Sequence, residues 1–237
     1  MVVMGVAAQK QLHLEKHVLE GFGSKSMELK WVSRRISKSS QLEKTMKPLS
    51  PLFPIYISTD PRHVDPHRLR DLFADCNYST QKIPTRAEPE PVDIHKLRIA
   101  LSHSAVVVSV FCNLRHVNDV VPYHGNSSSS LIEDFLTPVS PSRDQLVGFG
   151  RAISDCGLTA SIYDVMVIPS LQRMGIGKMI VKKITRVLTN RDIYDISALC
   201  SENERLFFKA CGFGNDSLAS TTMMYRRSDP SVTQEGE

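Results

Sequence analysis

The stretch YDVMVIPSLQRMGIGKMIVKKI, residues 163–184, predicts a strand, a glycine loop and a helix in immediate succession. The strand, predicted over 160–168, is apolar and rich in β-branched residues, and Pro169 ends it because proline cannot donate a hydrogen bond to a sheet. The helix, predicted over 178–190, has apolar residues at the spacing of one buried face: Ile180, Val181, Ile184, Val187 and Leu188.

The glycine loop is suited to bind an anion, most often a phosphate. The first turn of a helix presents unpaired N–H groups, and the helix dipole adds about half a positive charge there. Gly175 and Gly177 permit close approach because they lack a side chain, and Arg173 and Lys178 add charge-assisted contacts. The spacing matches neither a Walker A loop nor a dinucleotide-binding fingerprint. A tight turn without a ligand is the alternative.

Outward from this stretch, the alternation of strands and helices predicts an α+β fold with a mixed sheet and helices on its faces. The other strands are predicted at 53–60, 105–112, 145–154, 193–200 and 219–226. The other helices are predicted at 65–77, 92–104 and 203–213.

The first 50 residues differ from the rest in charge. They hold nine Lys and Arg against four Glu, a net charge of +5, whereas the remainder holds 20 basic against 21 acidic residues, a net charge of −1. A Ser- and Arg-rich, acid-poor leader is typical of plastid and mitochondrial transit peptides, and a disordered basic tail is the alternative. We therefore predict a basic extension over 1–50, a folded domain over 51–227 and a tail over 228–237. Residues 114–144 are predicted to form a disordered surface insertion.

Composition disfavours several classes of function. The near-neutral remainder argues against nucleic-acid binding, which requires a basic face on the folded core. No apolar run is long enough for a transmembrane helix. The five cysteines lie far apart without a CxxC pair, so neither a bound metal nor a disulfide framework is expected.

The strand, loop and helix of residues 163–184, followed by FFKACGF at 207–213, resemble the GNAT superfamily of acetyl-CoA-dependent N-acetyltransferases. That family's loop has the pattern Gln/Arg-x-x-Gly-x-Gly/Ala, which Gln172, Gly175 and Gly177 match. The resemblance is greatest to the plant plastid members. It implies a mostly antiparallel sheet that splays apart at the acetyl-CoA site.

The resemblance also implies which residues bind acetyl-CoA. The diphosphate would lie on the loop and the first helical turn, and the pantetheine arm beside the strand, where one N–H polarises the thioester carbonyl. The start of the helix predicted at 203–213 would complete the site. The implied set is Val165, Met166, Val167, Arg173, Met174, Gly175, Ile176, Gly177, Lys178, Ser201, Glu202 and Asn203.

At two positions implied for catalysis, the chain departs from the family pattern. Phe208 occupies the place of the family's acid tyrosine and cannot donate a proton, and Ser201 occupies a place that is often acidic in plant relatives. Tyr163 and Asp164 are the candidate substitutes. Tyr163 could instead line the acceptor site or the core, and Asp164 could hydrogen-bond the backbone where the strand splays. Further candidates are Glu202 and Glu204, at the start of the helix predicted at 203–213, and Tyr225, at the end of the strand predicted at 219–226.

The predicted function is transfer of acetyl from acetyl-CoA to an amine on a protein, at lysine side chains, N-termini or both. A small-amine acetyltransferase of the arylalkylamine type is one alternative. A protein that binds acetyl-CoA without turnover is another, because of Phe208 and Ser201. The plastid stroma is the predicted location, with cytoplasm or nucleus as the alternative, and no nucleic-acid or membrane partner is expected.

Overall fold

A computed structural model describes residues 27–33, 52–77, 92–113 and 140–215 of the 237-residue chain. The chain divides into two compact units, Met1–Leu199 and Cys200–Glu237. The strands and the three longer helices of the described residues belong to the first unit, and one short helix belongs to the second.

The first unit is built on a mixed sheet of six strands, as far as the described residues go, that lie side by side in chain order. They are β1 (Met27–Ser33), β2 (Leu52–Ser58), β3 (Val106–Cys112), β4 (Gln145–Ser154), β5 (Thr159–Val167) and β6 (Asp195–Ala198). Strands β1 to β5 are antiparallel neighbours, and β6 runs parallel to β5. The predicted α+β fold with a mixed, mostly antiparallel sheet is confirmed.

Two helices, α1 (Pro66–Asp75) and α2 (Ile94–Ser102), connect β2 to β3 and begin where the sequence predicts. Asp65 caps α1 by accepting a hydrogen bond from the His67 N–H at 3.0 Å, and Pro66 takes the first helical position. Asp93 caps α2 in the same way. Helix α1 packs against α2 and β4. Across the described ranges, no helix is long and apolar enough to cross a membrane.

Helix α3 (Ile176–Thr189) packs on β3, β4 and β5. Its buried face is formed by Ile176, Ile180, Val181, Ile184 and Leu188. Val187, which was predicted on this face, is only half-buried. The helix begins at Ile176 rather than at 178, because Gly175 adopts φ 86° and takes the N-cap position. The two residues of the loop that follow Gly175 are therefore part of the first helical turn.

Two glycines of β4 let α3 lie close to the sheet. A Cβ at Gly150 would lie 2.5 Å from Ile180 Cγ2, and a Cβ at Gly148 would lie 3.1 Å from Ile180 Cδ1. Real Cβ atoms essentially never approach another atom as closely as the first of these distances. The helix that follows the glycine loop is thus held against β4 by contacts that only glycine permits.

Strand β1 lies within the range predicted as an N-terminal extension, and the predicted domain start at residue 51 is wrong in this respect. All seven residues of β1 pair with β2, from Met27 opposite Ser58 to Ser33 opposite Leu52. Glu28 of β1 also forms an ion pair with Lys183 of α3 at 3.2 Å. The sheet therefore begins before residue 51. The predicted strand at 219–226 and the tail at 228–237 lie outside the described residues.

The end of the predicted insertion is anchored to α1. Residues 114–139 lie outside the described ranges, but residues 140–144 form a turn. The guanidinium of Arg68 donates to the carbonyl oxygens of Pro141, Ser142 and Asp144 at 2.7, 2.5 and 3.0 Å. The last five residues of the insertion are consequently a defined turn, contrary to the prediction of disorder.

The second unit begins with a 3-10 turn, Glu202–Glu204, that leads into α4 (Arg205–Ala210). Glu204 Oε2 accepts from both the backbone N–H and the hydroxyl of Ser201, at 2.7 and 2.8 Å. This reciprocal capping fixes the start of the helix. Gly212, with φ 100°, follows its end.

Candidate active site

Strands β5 and β6 separate beyond Ile162. They pair only from Thr159 opposite Asp195 to Ile162 opposite Ala198, while β5 continues to Val167. Residues 163–167 therefore have no strand on that side within the described residues. The splayed sheet that the resemblance implied is present, with one edge of β5 open.

A β-bulge lies in β5 at the same place. Arg151 pairs with Tyr163 and Phe149 pairs with Met166, so that two residues of β5 stand opposite Gly150 alone. Asp164, one of the two, has φ 54°, in the left-handed region. For a residue other than glycine this conformation costs of order 1–3 kcal/mol, and it persists only where the surroundings enforce it.

The open edge of β5 presents hydrogen-bond donors. The Ile168 N–H donates to Val147 O of β4 at 2.9 Å. Because successive residues of a strand alternate, the N–H groups of Val167 and Val165 point to the opposite, open side. The Val167 carbonyl on that side already accepts from Gln172 Nε2 at 3.0 Å. Among the described residues, no strand pairs with these donors where the sheet has opened.

The loop that follows turns sharply into α3. A 3-10 turn, Pro169–Leu171, ends β5, and Gln172 reaches back to the Val167 carbonyl. Arg173 and Gly175 both adopt positive φ, at 62° and 86°. The side chain of Gln172 thus ties the loop to the end of the strand.

The backbone of residues 173–178 forms a cluster of available N–H donors. Within the described residues, none of these six N–H groups donates to a backbone carbonyl. The helix dipole adds positive potential at the same place, and the exposed Arg173 and Lys178 flank it. Such a donor set matches the many acceptor oxygens of a diphosphate. The structure brings together residues 165–167 and 173–178 of the predicted set.

The two candidate catalytic residues beside the bulge contact one arginine. Arg151 Nε donates to the Asp164 carboxylate, and the two side chains are only 15% and 13% exposed. The Arg151 guanidinium carbon also lies 5.7 Å from the centroid of the Tyr163 ring. The Asp164 carboxylate therefore accepts a hydrogen bond from the Arg151 side chain. A hydrogen bond to the backbone was the alternative predicted from the sequence.

Phe208, Ser201, Glu202 and Asn203 belong to the second unit. The Phe208 ring makes edge contacts with Phe207 and Phe213, with centroids 5.1 and 5.6 Å apart. Glu202 pairs with Arg205 at 3.2 Å. Ser201 takes part in the helix cap, as described above, and Tyr225 lies outside the described residues.

Sequence reasoning missed two residues of the first-unit site. Arg151 is the only charged residue of QLVGFGRAIS, and a lone charge in a buried strand is a signal that a partner is near. Cys76, at the end of α1, donates its thiol to the Val167 carbonyl at 3.4 Å. Burial raises the pKa of this thiol to about 11. No pattern in the sequence links Cys76 to β5, because the contact spans 91 residues.

Comparison with known proteins gives consistent matches. The profile of the Acetyltransferase (GNAT) family matches residues 124–213. GCN5-related N-acetyltransferase 3, chloroplastic, of Arabidopsis thaliana is 48% identical over 226 residues, which cover 86% of this chain and 93% of that protein. Histone acetyltransferase TAP1 of Glycine max is 26% identical and covers 76% of this chain and 71% of that protein. Serotonin N-acetyltransferase 2, chloroplastic, of Oryza sativa subsp. japonica is 29% identical and covers 38% of this chain and 44% of that protein.

Proposed function

The chain belongs to the GNAT family and is an acetyl-CoA-dependent N-acetyltransferase, and we propose that its acceptors are protein amines, at lysine side chains, N-termini or both. The observation that carries the acetyl-CoA site in this proposal is the open edge of β5 next to a helix N-terminus whose described N–H groups donate to no backbone carbonyl. Together they offer a row of hydrogen-bond donors to an extended acyl donor with a diphosphate at one end.

In this proposal the loop binds the diphosphate of acetyl-CoA. The N–H groups of residues 173–178 donate to its oxygens, and Arg173 and Lys178 add charge-assisted contacts. Gly177 lies in the first turn of α3, where a side chain would intrude on the bound anion. Gln172 keeps the loop tied to β5, so that the two parts of the site hold their spacing.

The open edge of β5 orients the acetyl group. An N–H of Val165 or Val167 donates to the thioester carbonyl and stabilises the negative charge that develops on its oxygen when the amine attacks. Met166 lies between them and is buried at 5% exposure, so its side chain forms part of the wall below the strand.

The amine must lose a proton before it attacks, and the thiolate must leave. A free ammonium has a pKa near 10, so a base or a water relay is needed. Phe208 supplies no proton at the position of the usual acid. A thiolate is a fairly good leaving group, and the lack of a general acid reduces the rate by about 10²–10⁴ without abolishing transfer. Tyr163 has the only phenol that the described part of β5 offers for this task.

Protein acceptors are favoured over small amines because the relative named for a protein substrate aligns with a larger share of this chain than the relative named for a small amine. The relative named for histones covers 76% of this chain, and the relative named for serotonin covers 38%. The plastid is the proposed location, since the Arabidopsis relative is named chloroplastic. A removable leader would end before Met27, because β1 begins there and pairs with β2 along its whole length.

The acceptor is tested with the full chain, because truncation at residue 51 would remove β1. The protein is mixed with acetyl-CoA and a pool of peptides that carry free N-termini and lysines, and separately with serotonin and tryptamine. Mass spectrometry then counts the acetyl groups and locates the modified nitrogen. Acetylated peptides are the expected result. Acetylated serotonin with an unmodified peptide pool would contradict the proposed acceptor and establish the small-amine alternative.

Phe208→Tyr tests the account of proton transfer. The substitution restores a phenol at the position that the family pattern assigns to the acid, so kcat should rise. If kcat is unchanged while acetyl-CoA binding is intact, protonation at that position does not limit the rate. In a third outcome, wild type acetylates neither the peptides nor the small amines, but Phe208→Tyr acetylates them. This would show that the wild-type protein binds acetyl-CoA without transferring its acetyl group.

A further inference from the structure

We propose that Arg151 is a positioning residue for acetyl transfer, which fixes the bulge of β5 through its ion pair with Asp164 and so directs the N–H groups of the strand to its open edge. This inference rests on the proposed function, because it assigns a task to Arg151 in placing the acetyl group. Four observations on the bulge carry it.

The bulge decides which N–H groups reach the open edge. Tyr163 pairs with Arg151, and regular alternation from there would direct the N–H groups of Asp164 and Met166 away from β4. The extra residue shifts this phase, since Met166 is paired with Phe149 and the N–H of Ile168 bonds to β4. The donors of Val165 and Val167 therefore face the open edge only while the bulge stays where it is.

The backbone at the bulge has a conformation that persists only where the surroundings enforce it. Asp164 holds φ 54°, which residues other than glycine adopt uncommonly, although aspartate adopts it more readily than most. The neighbouring strand β6 gives no support, because it has already separated at Ile162. Among the described residues, the side-chain contact made to Asp164 comes from β4.

Arg151 supplies that interaction from the opposite strand. Its guanidinium bonds the Asp164 carboxylate and lies 5.7 Å from the Tyr163 ring centroid, so it contacts both residues at the start of the bulge. Both charged groups are largely removed from water, where a hydrogen-bonded ion pair is stronger and less screened than at the surface. A single side chain thereby contacts the first residue of the bulge and the residue before it.

Strand β4 gives Arg151 a rigid base. The adjacent Gly150 lies against Ile180 and Ile184 of α3 so closely that a Cβ would contact them at 2.5 and 3.2 Å. The same helix presents the N–H donors of the loop at its N-terminus. Arg151 therefore fixes the acetyl end of the site to the same packed layer that holds the diphosphate end.

The test compares Arg151→Met with Arg62→Met in the full chain. Arg62 also pairs with an aspartate, Asp60, at 2.7 Å, but it lies between β2 and α1 and is 88% exposed, so it serves as the matched control. Steady-state kinetics and titrations with CoA and with acetyl-CoA are made on each. We expect kcat to fall about 10- to 100-fold in Arg151→Met, because a small misplacement of a reacting group has effects of this order. The Kd for CoA should stay within about twofold of wild type, and Arg62→Met should match wild type throughout.

Further variants separate positioning from folding and from acid–base chemistry. Arg151→Lys keeps a positive charge with a single donor group and should fall between wild type and Arg151→Met. Asp164→Gly removes the carboxylate and tolerates the positive φ, so it should fold and still show reduced kcat. The pH profile of kcat should keep its shape in both, whereas loss of a catalytic base would remove one of its limbs.

Two outcomes would overturn the inference. One is a folded Arg151→Met with kcat within about threefold of wild type. The other is a fall in kcat in Arg151→Met that is accompanied by a similar fold-loss of CoA affinity and by a lower melting temperature. That result would indicate that Arg151 has a general structural role. If wild type binds neither CoA nor acetyl-CoA, the proposed site fails instead. In that case the amide chemical shifts of Asp164 and Val165 decide the matter, since they should move in Arg151→Met and not in Arg62→Met.

Discussion

Substitution of Gly150 by alanine should loosen the contact on which both ends of the active site depend. The added Cβ would lie 2.5 Å from Ile180 Cγ2 and 3.2 Å from Ile184 Cδ1. An ordinary carbon–carbon contact is about 3.5–4.0 Å, so strand and helix must separate by roughly 1 Å. Ile180 cannot turn away, because it is fully buried and its branched side chain has one preferred rotamer in a helix.

The expected loss of stability follows from this overlap. Forcing an extra methyl group into a well-packed core costs about 1–3 kcal/mol. Glycine-to-alanine changes also stabilise by about 0.4–1 kcal/mol through the unfolded chain, and a control substitution must cancel that effect. Gly157→Ala does so, since a Cβ there meets nothing within 4 Å and the residue has no positive φ. The difference between the two variants is therefore predicted as about 1–3 kcal/mol, or roughly 2–12 °C in Tm for a chain of this size.

Thermal and urea unfolding of Gly157→Ala, Gly148→Ala and Gly150→Ala measure the series. Gly148→Ala should lie between the others, because its Cβ would meet Ile180 Cδ1 at 3.1 Å, a smaller overlap than the 2.5 Å at Gly150. In a double-mutant cycle, Ile180→Ala should cost at least about 1 kcal/mol less in the Gly150→Ala background than in wild type. Equal stability of Gly150→Ala and Gly157→Ala, or additive effects in the cycle, would refute the packing argument.

Three further predictions concern single cysteines and an aspartate. Cys156→Gly should stabilise the protein by roughly 0.5–1 kcal/mol in urea unfolding, because Cys156 holds φ 63° and glycine adopts this conformation without strain; an unchanged or lower stability would contradict this. At pH 8, iodoacetamide should modify the exposed Cys156 well before Cys76 and Cys112, since burial raises the pKa of those two thiols to about 11 and about 12. Peptide mapping that finds Cys76 or Cys112 modified first would oppose this prediction. The hydrogen bond from Arg62 lowers the pKa of Asp60 from 3.8 to about 2, so Asp60 contributes stability that is present above pH 4 and lost as the pH falls towards 2. Asp60→Asn should therefore be less stable than wild type at pH 7, and the difference in unfolding free energy should shrink as the pH falls through this range. A difference that does not depend on pH would count against this prediction.

Local sequence patterns were sufficient to predict the strands and helices whose ends are marked by their own residues. The predicted bounds of β4, 145–154, agree with the structure, and α1 begins at the proline that follows its aspartate cap. The strand, loop and helix around Gly175 were identified for the same reason, since apolar runs, a proline and glycines follow one another without interruption.

Features that depend on long-range pairing could not be predicted. Strand β1 reads MELKWVS, whose alternation of apolar and charged residues is itself a strand signal, but its place in the sheet follows only from its pairing with β2. The bulge at Asp164 depends on the register of β5 against β4, which the sequence of β5 alone does not contain. The roles of Gly148 and Gly150 likewise follow only from the approach of α3.

The sequence predicted the backbone N–H donors of the candidate site, but not which side chains contact one another there. The donors of residues 173–178 follow from any glycine loop that leads into a helix, whatever the rest of the chain does. The partner of Asp164 does not, because Arg151 lies 13 residues away on another strand and meets it only across the bulge.

The most direct test of the central claim is calorimetric titration of acetyl-CoA into the full chain with Gly177→Glu. The new carboxylate would stand in the first turn of α3, where the diphosphate is proposed to bind, and should oppose it by bulk and by charge. Gly157→Glu adds the same charge at the β4–β5 turn, which the nine residues of β5 separate from the loop by roughly 30 Å. Gly177→Glu should lose at least about 100-fold in affinity, while Gly157→Glu should bind like wild type. Unchanged affinity in a folded Gly177→Glu would show that acetyl-CoA is not held by this loop.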